Sequence, residues 1–312
     1  MKGEEKRWIG ILPLFDPEEG KTILEPPGSG PGYWVGGESI IFDTELDRFY
    51  LYYRLRNPRR VGDPKERGFE CYIAESSDGL YFRDIWSSTK QDYKAASLER
   101  GALVKSLEGK YRLYISFEDT LIGKWKIDML EAGSPHEFDP EKRVKVLEPP
   151  DKSIGHVKDP YVMVAGRLYH MFVSYHPAEW QSSYTGLALS ADGVNFLWQG
   201  DIFPHGTGWD TGISRITSIL YIPPLFHVFY DGGENMRSSC EEKAGLAISF
   251  DLRSYQRVSQ NGPVFASPYG SGSLRYVDTI MVNDYIYYYY EYARKDGSHE
   301  LRMNKVKRPS SW

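Results

Sequence analysis

Two cysteines in 312 residues, Cys71 and Cys240, cannot build a disulfide framework. No apolar run approaches the ~20 residues that a bilayer-spanning helix requires. The opening MKGEEKRWIGILPLFD has too short an apolar stretch for a secretory signal and lacks a small-residue cleavage site. A reduced, cytoplasmic protein without a membrane partner is therefore expected. Lysine and arginine form no block and the net charge is −5, which argues against nucleic acid as a main partner. Glutamine and asparagine are sparse, at 5 and 6 residues, as in thermophilic proteins. Several catalytic signatures are also missing: HExxH, a phosphate-cradling glycine loop and a Gly-x-Ser-x-Gly elbow. Neither a metal nor a cofactor is expected.

Aromatic residues are abundant, with 8 Trp, 24 Tyr and 14 Phe, which excludes a disordered chain. They recur in order. One hexamer occurs five times, as FYLYYR (49–54), YRLYIS (111–116), YHMFVS (169–174), FHVFYD (226–231) and IYYYYE (286–291), with starts 62, 58, 57 and 60 residues apart. Each reads as a strand. Before each lies a second strand-like run: SIIFD, ALVK, YVMVA, ITSILY and VDTIMV. Turns such as TELD or SLEG join the two as hairpins. After three of them comes a strand with an Asp-centred turn: CYIAESSDGLYF, GLALSADGVNF and GLAISFDLRSY.

Units of about 60 residues with four antiparallel strands predict an all-β fold, a five-bladed β-propeller forming one domain over 1–312. The blades fall near 36–90, 98–150, 157–203, 209–262 and 273–306. The fifth unit lacks a fourth strand after HELRMNKV (299–306). KTILEPPGSG (21–30) resembles VKVLEPPDKS (144–153), which sits where an outer strand should end. Residues near 21–25 are therefore expected to complete the fifth blade and close the ring. Helix is scarce; its best candidate is a short connection over Gln91 to Leu98.

Counting back from each hexamer gives the heads of the inner strands: Glu38, Arg100 with Glu99 beside it, Asp159, Arg215 and Arg275. Charges at all five heads must pair or face a wet cavity. Glu38 and Asp159 come from blades 1 and 3, and paired carboxylates across a sugar are what glycoside cleavage requires. The surrounding loops carry Tyr33, Trp34, Trp180 and Trp209, whose flat faces suit sugar rings.

Here KDPYVMVAGRLYHMFVSY (158–175) and GLALSADGVNF (186–196) resemble blade signatures of the five-bladed glycosidases of the arabinanase–levansucrase superfamily. That group includes glycoside hydrolase family 43 and the family 130 phosphorylases. The resemblance implies a glycosidase in which an acidic residue heading blade 1 is the base, an Asp heading blade 3 tunes and orients the acid, and a carboxylic acid in blade 4 donates the proton. Glu38 takes the first position, with Glu-Ser where Asp-Pro is usual, and Asp159 the second. The head of blade 4 is Arg215, so the acid is expected at Asp210, with Glu234 or, on the family 130 pattern, Glu99 as alternatives.

Substrate-binding residues are expected at Trp34, Arg54, Arg100, His156, Trp209, Arg215, Arg275 and Glu291. The arginines either neutralise Glu38, Asp159 and Glu291 or bind an anion. Counting Arg100, Arg215 and Arg275 against Glu38 and Asp159 leaves a positive charge over. The partner is thus a carbohydrate, neutral or anionic, or one attacked by phosphate. Three functions follow: an inverting glycoside hydrolase, a glycoside phosphorylase, and a non-catalytic carbohydrate-binding propeller.

Overall fold

A computed structural model describes residues 12–308. The described residues are almost wholly strand and turn, with three short 3₁₀ segments, at Pro17–Glu19, Pro140–Lys142 and Met236–Ser238. The first strand, β1 (Lys21–Leu24), precedes four complete antiparallel meanders. The first meander is β2 (Trp34–Asp43), β3 (Arg48–Asn57), β4 (Arg67–Ser76) and β5 (Arg83–Thr89). The second is β6 (Ala95–Lys105), β7 (Tyr111–Asp119), β8 (Lys124–Ala132) and β9 (Val144–Leu147). The third is β10 (Ile154–Ala165), β11 (Leu168–Pro177), β12 (Tyr184–Ser190) and β13 (Leu197–Phe203). The fourth is β14 (Ile213–Ile222), β15 (Leu225–Gly233), β16 (Lys243–Ser249) and the two-residue β17 (Gln256–Arg257). A fifth contains β18 (Leu274–Val282), β19 (Tyr285–Ala293) and β20 (His299–Lys307), and β1 pairs with β20 through Lys21↔Met303 and Thr22↔Arg302.

The five hexamers lie in β3, β7, β11, β15 and β19. Their side chains alternate between two faces, and both faces are buried. Tyr50 and Tyr52 pack with Leu113, Ile115 and Phe117 of the second meander. Leu51 and Tyr53 point the other way, onto Tyr287 and Tyr289 of the fifth. The remaining clusters join the second meander to the third, the third to the fourth and the fourth to the fifth. Each fully buried aromatic or aliphatic side chain contributes roughly 1.5–3 kcal/mol. The first strands also touch in succession, β2 to β6, β6 to β10, β10 to β14, β14 to β18 and β18 to β2.

The Asp-centred turns lock these interfaces. Asp78, Asp192 and Asp251 each accept backbone N–H groups two and three residues ahead. At the first two, the following glycine adopts a positive φ, 74° at Gly79 and 71° at Gly193. The carbonyls exposed there accept Tyr289 and Tyr114 hydroxyls from neighbouring meanders, both at 2.7 Å. The sequence kinship around β1 and β9 extends upstream. Asp16 and Asp139 each cap a 3₁₀ turn that begins with proline and leads into the outer strand. Residues 91–98 are not helical: a turn with Lys94 at φ 54° leads into β6 at Ala95. An L residue in the left-handed region stops a helix from propagating.

Candidate active site

Each first strand carries an irregularity at its head. The register of β2 shifts between Gly36 and Ser39, of β6 between Leu98 and Gly101, and of β10 between Lys158 and Tyr161. That of β14 shifts between Ile216 and Ser218, and of β18 between Arg275 and Asp278. Such bulges re-aim side chains. Gly37, Asp159 and Tyr276 take φ of 62°, 52° and 58° within them. For Asp159 and Tyr276 this is a strained conformation, the kind that concentrates at functional sites.

The bulges gather charge. Glu242, in the approach to β16, accepts Arg215 Nη1 at 2.6 Å and Arg275 Nη1 at 3.0 Å. Glu291 accepts Arg275 Nη2 at 2.6 Å and His299 Nδ1 at 2.7 Å, with Arg54 Nη2 at 3.5 Å. Glu99 pairs with Arg54 Nε at 3.0 Å and Arg56 Nη1 at 2.9 Å. Burial alone would raise these carboxyls. Arg275 and Arg54 override it and hold Glu291 at about 2. Arg215 and Arg275 likewise lower Glu242 from the usual carboxylate range, and Arg54 with Lys158 lowers Glu99.

Three other carboxyls run the opposite way. Glu38 is fully buried and neither of its oxygens has a hydrogen-bond partner. Burial, then the charge of Glu291, push it well above the usual carboxylate range, only partly offset by Arg100. Burial and then Glu242 push Asp231 up to about 8. Burial takes Asp278 to about 6 against the pull of Arg100. The Asp159 Oδ2 is 3.0 Å from Lys158 Nζ and 3.5 Å from the Tyr276 hydroxyl, which donates to it, while Oδ1 has no partner.

The structure therefore brings Glu38, Arg54, Glu99, Arg100, Asp159, Arg215, Arg275 and Glu291 together. Trp34 joins them, stacked on His299 with Arg56 and Arg275 over its ring at 4.8 and 4.9 Å.

Asp210 is buried, and its Oδ2 is paired with Arg257 Nε of the outer strand β17 at 2.6 Å rather than with a charge of the cluster. Glu234 is exposed in the loop after β15. Glu99 is spent on two arginines, which keep it ionised. His156 accepts the Trp125 N–H at 3.1 Å and packs against Trp180. The Trp209 indole N–H donates to Ser259 O at 2.8 Å, and its ring stacks near Tyr230.

The spare positive charge is corrected. Arg215 and Arg275 share Glu242, and Arg275 also holds Glu291, so neither pairs with Glu38. Arg100 differs: its Nε donates to Glu38 O at 3.0 Å, neither Nη has a hydrogen-bond acceptor, and Nη2 has an ion-pair contact at 3.5 Å with Asp278 Oδ2.

Asp231, Glu242, Tyr276 and Asp278 escaped the sequence reading. Asp231 had a signal: it closes the hexamer FHVFYD at the place where Arg54 and Glu291 close theirs. Glu242 had none, being one of two glutamates in a loop.

Beside Asp231, Gly232 and Gly233 line a cavity of about 270 Å³ together with Trp209 and Glu234. Larger hollows of about 420, 500 and 710 Å³ have different linings. Among the described residues, no group of three or more His, Cys, Asp or Glu is disposed to hold a metal ion.

No family model and no curated protein matches the chain. Solved structures do match its fold. A β-xylosidase superimposes with a TM-score of 0.65 at 11% identity, over 94% of this chain and 96% of that one. A thermostable family-43 glycoside hydrolase gives 0.65 at 12%, over 92% of each chain. A β-1,2-mannobiose phosphorylase from Listeria innocua, in complex with β-1,2-mannobiose, gives 0.62 at 13%, over 95% and 92%. The chain has the fold of family-43 and family-130 glycosidase and phosphorylase structures.

Proposed function

We propose that the protein hydrolyses a glycosidic bond of an oligo- or polysaccharide, with inversion, in the centre of a single five-bladed β-propeller closed by β1. The succession of five inter-meander clusters and the β1–β20 pairing support the propeller. One observation carries the chemistry: Glu38 stands buried at a bulged strand head with both carboxyl oxygens unpartnered. A raised pKa makes a carboxylate a stronger base, and burial is how a glutamate acquires one. Glu38, raised by burial and by Glu291, takes the proton from water. Asp159, fixed by Lys158 and Tyr276, orients the site.

The fold likeness to glycoside hydrolases favours this chemistry, although fold and activity are separable. Inversion requires a water between base and acid, with carboxyls about 6.5–9.5 Å apart. Proton NMR of the first-formed anomer tests it, and a retained configuration would remove Glu38 from the base role.

A second reading is phosphorolysis, with phosphate as nucleophile. Arg100 favours it, because both its Nη atoms are buried without a hydrogen-bond acceptor and only Nη2 has an ion-pair partner, Asp278 Oδ2 at 3.5 Å. Assay of oligosaccharides with and without inorganic phosphate separates the two. A sugar 1-phosphate product would replace hydrolysis by phosphorolysis.

A further inference from the structure

On the hydrolase reading, we propose that Asp231 is the proton donor, its Oδ2 delivering the proton to the glycosidic oxygen. Few carboxyls in the cluster have an oxygen left to use. Glu99, Glu242 and Glu291 each bind two or more cationic groups. Asp278 has both oxygens occupied: Oδ2 accepts the Ile40 N–H at 3.1 Å and Oδ1 the Thr279 N–H at 2.8 Å. Asp159 also keeps an unpartnered Oδ1, but its Oδ2 is ion-paired with Lys158 at 3.0 Å, which suits the orienting carboxylate rather than a donor. Glu38 and Asp231 are the other two with an unpartnered oxygen, they pair with no cation, and they come from different meanders. Glu38 is the base, which leaves the donor's role to Asp231.

Its geometry suits a donor. Oδ1 is fixed by the Tyr276 N–H at 2.9 Å, and Oδ2 is buried with no partner. A buried orphan polar atom costs about 1–3 kcal/mol, so it calls for an explanation. Asp231 is the register partner of Arg215, as Glu291 is of Arg275, so its side chain shares the face of the charged cluster. The strand then continues as Gly232 and Gly233, which open onto the cavity bordered by Trp209. A Cβ on Gly232 would lie 2.5 Å from the Trp209 ring, so the bare backbone there allows the close approach of that ring.

The groups facing Asp231 are Arg215 from β14, Glu242 from the loop, and Arg275 and Tyr276 from β18. Burial and Glu242 win over the cations, so the group keeps its proton at neutral pH. Tyr276 ties the donor to Asp159, holding Asp231 by its N–H and Asp159 by its hydroxyl. In the step, the Asp231 O–H bond breaks and its proton goes to the leaving oxygen, which also receives the electron pair of the broken C–O bond. Water forms the new bond to the anomeric carbon and gives its proton to Glu38. Solvent then returns a proton to Asp231 and takes one from Glu38.

The test compares wild type with Asp231→Asn on phenyl and 2,4-dinitrophenyl arabinosides, xylosides, mannosides and glucuronides. Expected is a kcat loss of about 10²–10⁴-fold on the phenyl glycosides, with little loss on the dinitrophenyl ones, whose leaving group needs no proton. The alkaline limb of the pH profile should vanish. Equal losses on both series, or none on either, overturn the donor assignment while leaving the hydrolase reading standing. A wild type inactive on every glycoside counts against the hydrolase reading. Asp231 is then judged by carbon-13 NMR of its carboxyl: titration near 8, absent from Asp231→Asn, supports a held proton, and titration below 5 overturns it.

Discussion

The hexamers end on serine in the second and third meanders, at Ser116 and Ser174, and on charge in the other three, at Arg54, Asp231 and Glu291. All five residues are buried, yet they work differently. Ser116 donates to Arg100 O at 2.8 Å and accepts the Asp159 N–H at 3.2 Å, so it clamps two bulges through their backbones. Ser174 meets Ser183 at 3.1 Å. The serine side satisfies its polar atoms at short range. The charged side is satisfied only as a network, where each arginine that neutralises one glutamate is drawn from the others. Carboxyl oxygens without partners, on Glu38 and Asp231 and, in the third meander, on Asp159, are left over. A buried ion network is therefore poor evidence for stability, and its incomplete members are the better guide to chemistry.

The contrast can be broken most strongly at Glu38. Glu38→Gln should lower turnover by about 10²–10⁴-fold with the fold intact, since no partner is lost; steady-state kinetics beside a thermal melt checks both halves. Next comes Glu242→Ala, which strands Arg215 and Arg275. It should cost about 3–5 kcal/mol in urea unfolding, the range for breaking a buried pair.

The pH dependence sharpens the comparison. An acid with a raised folded pKa binds more protons folded than unfolded, so its stabilising effect is complete below its unfolded pKa and is lost as pH rises through the folded one. For Asp231 that window runs from about 4 to about 8. Unfolding free energy should fall across it, and the slope should be shallower in Asp231→Asn. The smallest effect belongs to the serine side. Ser174→Ala should cost about 1 kcal/mol, the net worth of one hydrogen bond, and leave kcat unchanged.

The strand order was legible because both faces of each hexamer are apolar and the spacing repeats. The outer strands β5, β13 and the two-residue β17 were marked by the Asp-centred turns before them, and β1 and β9 by the duplicated Glu-Pro-Pro segment. At the site, residues at strand heads could be counted from the hexamers, which is how Glu38, Asp159 and the arginines emerged. Counting could not reveal which carboxylate each arginine would choose. Glu242 lies three residues before GLAISFDLRSY, in a loop that counting back from the hexamers does not reach, and Asp210 looked available because its partner, Arg257, lies 47 residues further on in a different strand. Ion pairing between distant segments follows from folding, and no local pattern records it.

The pairing of β1 with β20 has a temporal side. Thr22 donates to Glu300 across 278 residues of chain. At roughly 5–20 residues per second, a nascent chain would carry β1 for about 15–60 s before its partner was made. Throughout that interval a bare strand edge is open to other chains. Lys21 and Thr22, polar and exposed even in the finished fold, would keep that waiting edge a poor template for aggregation.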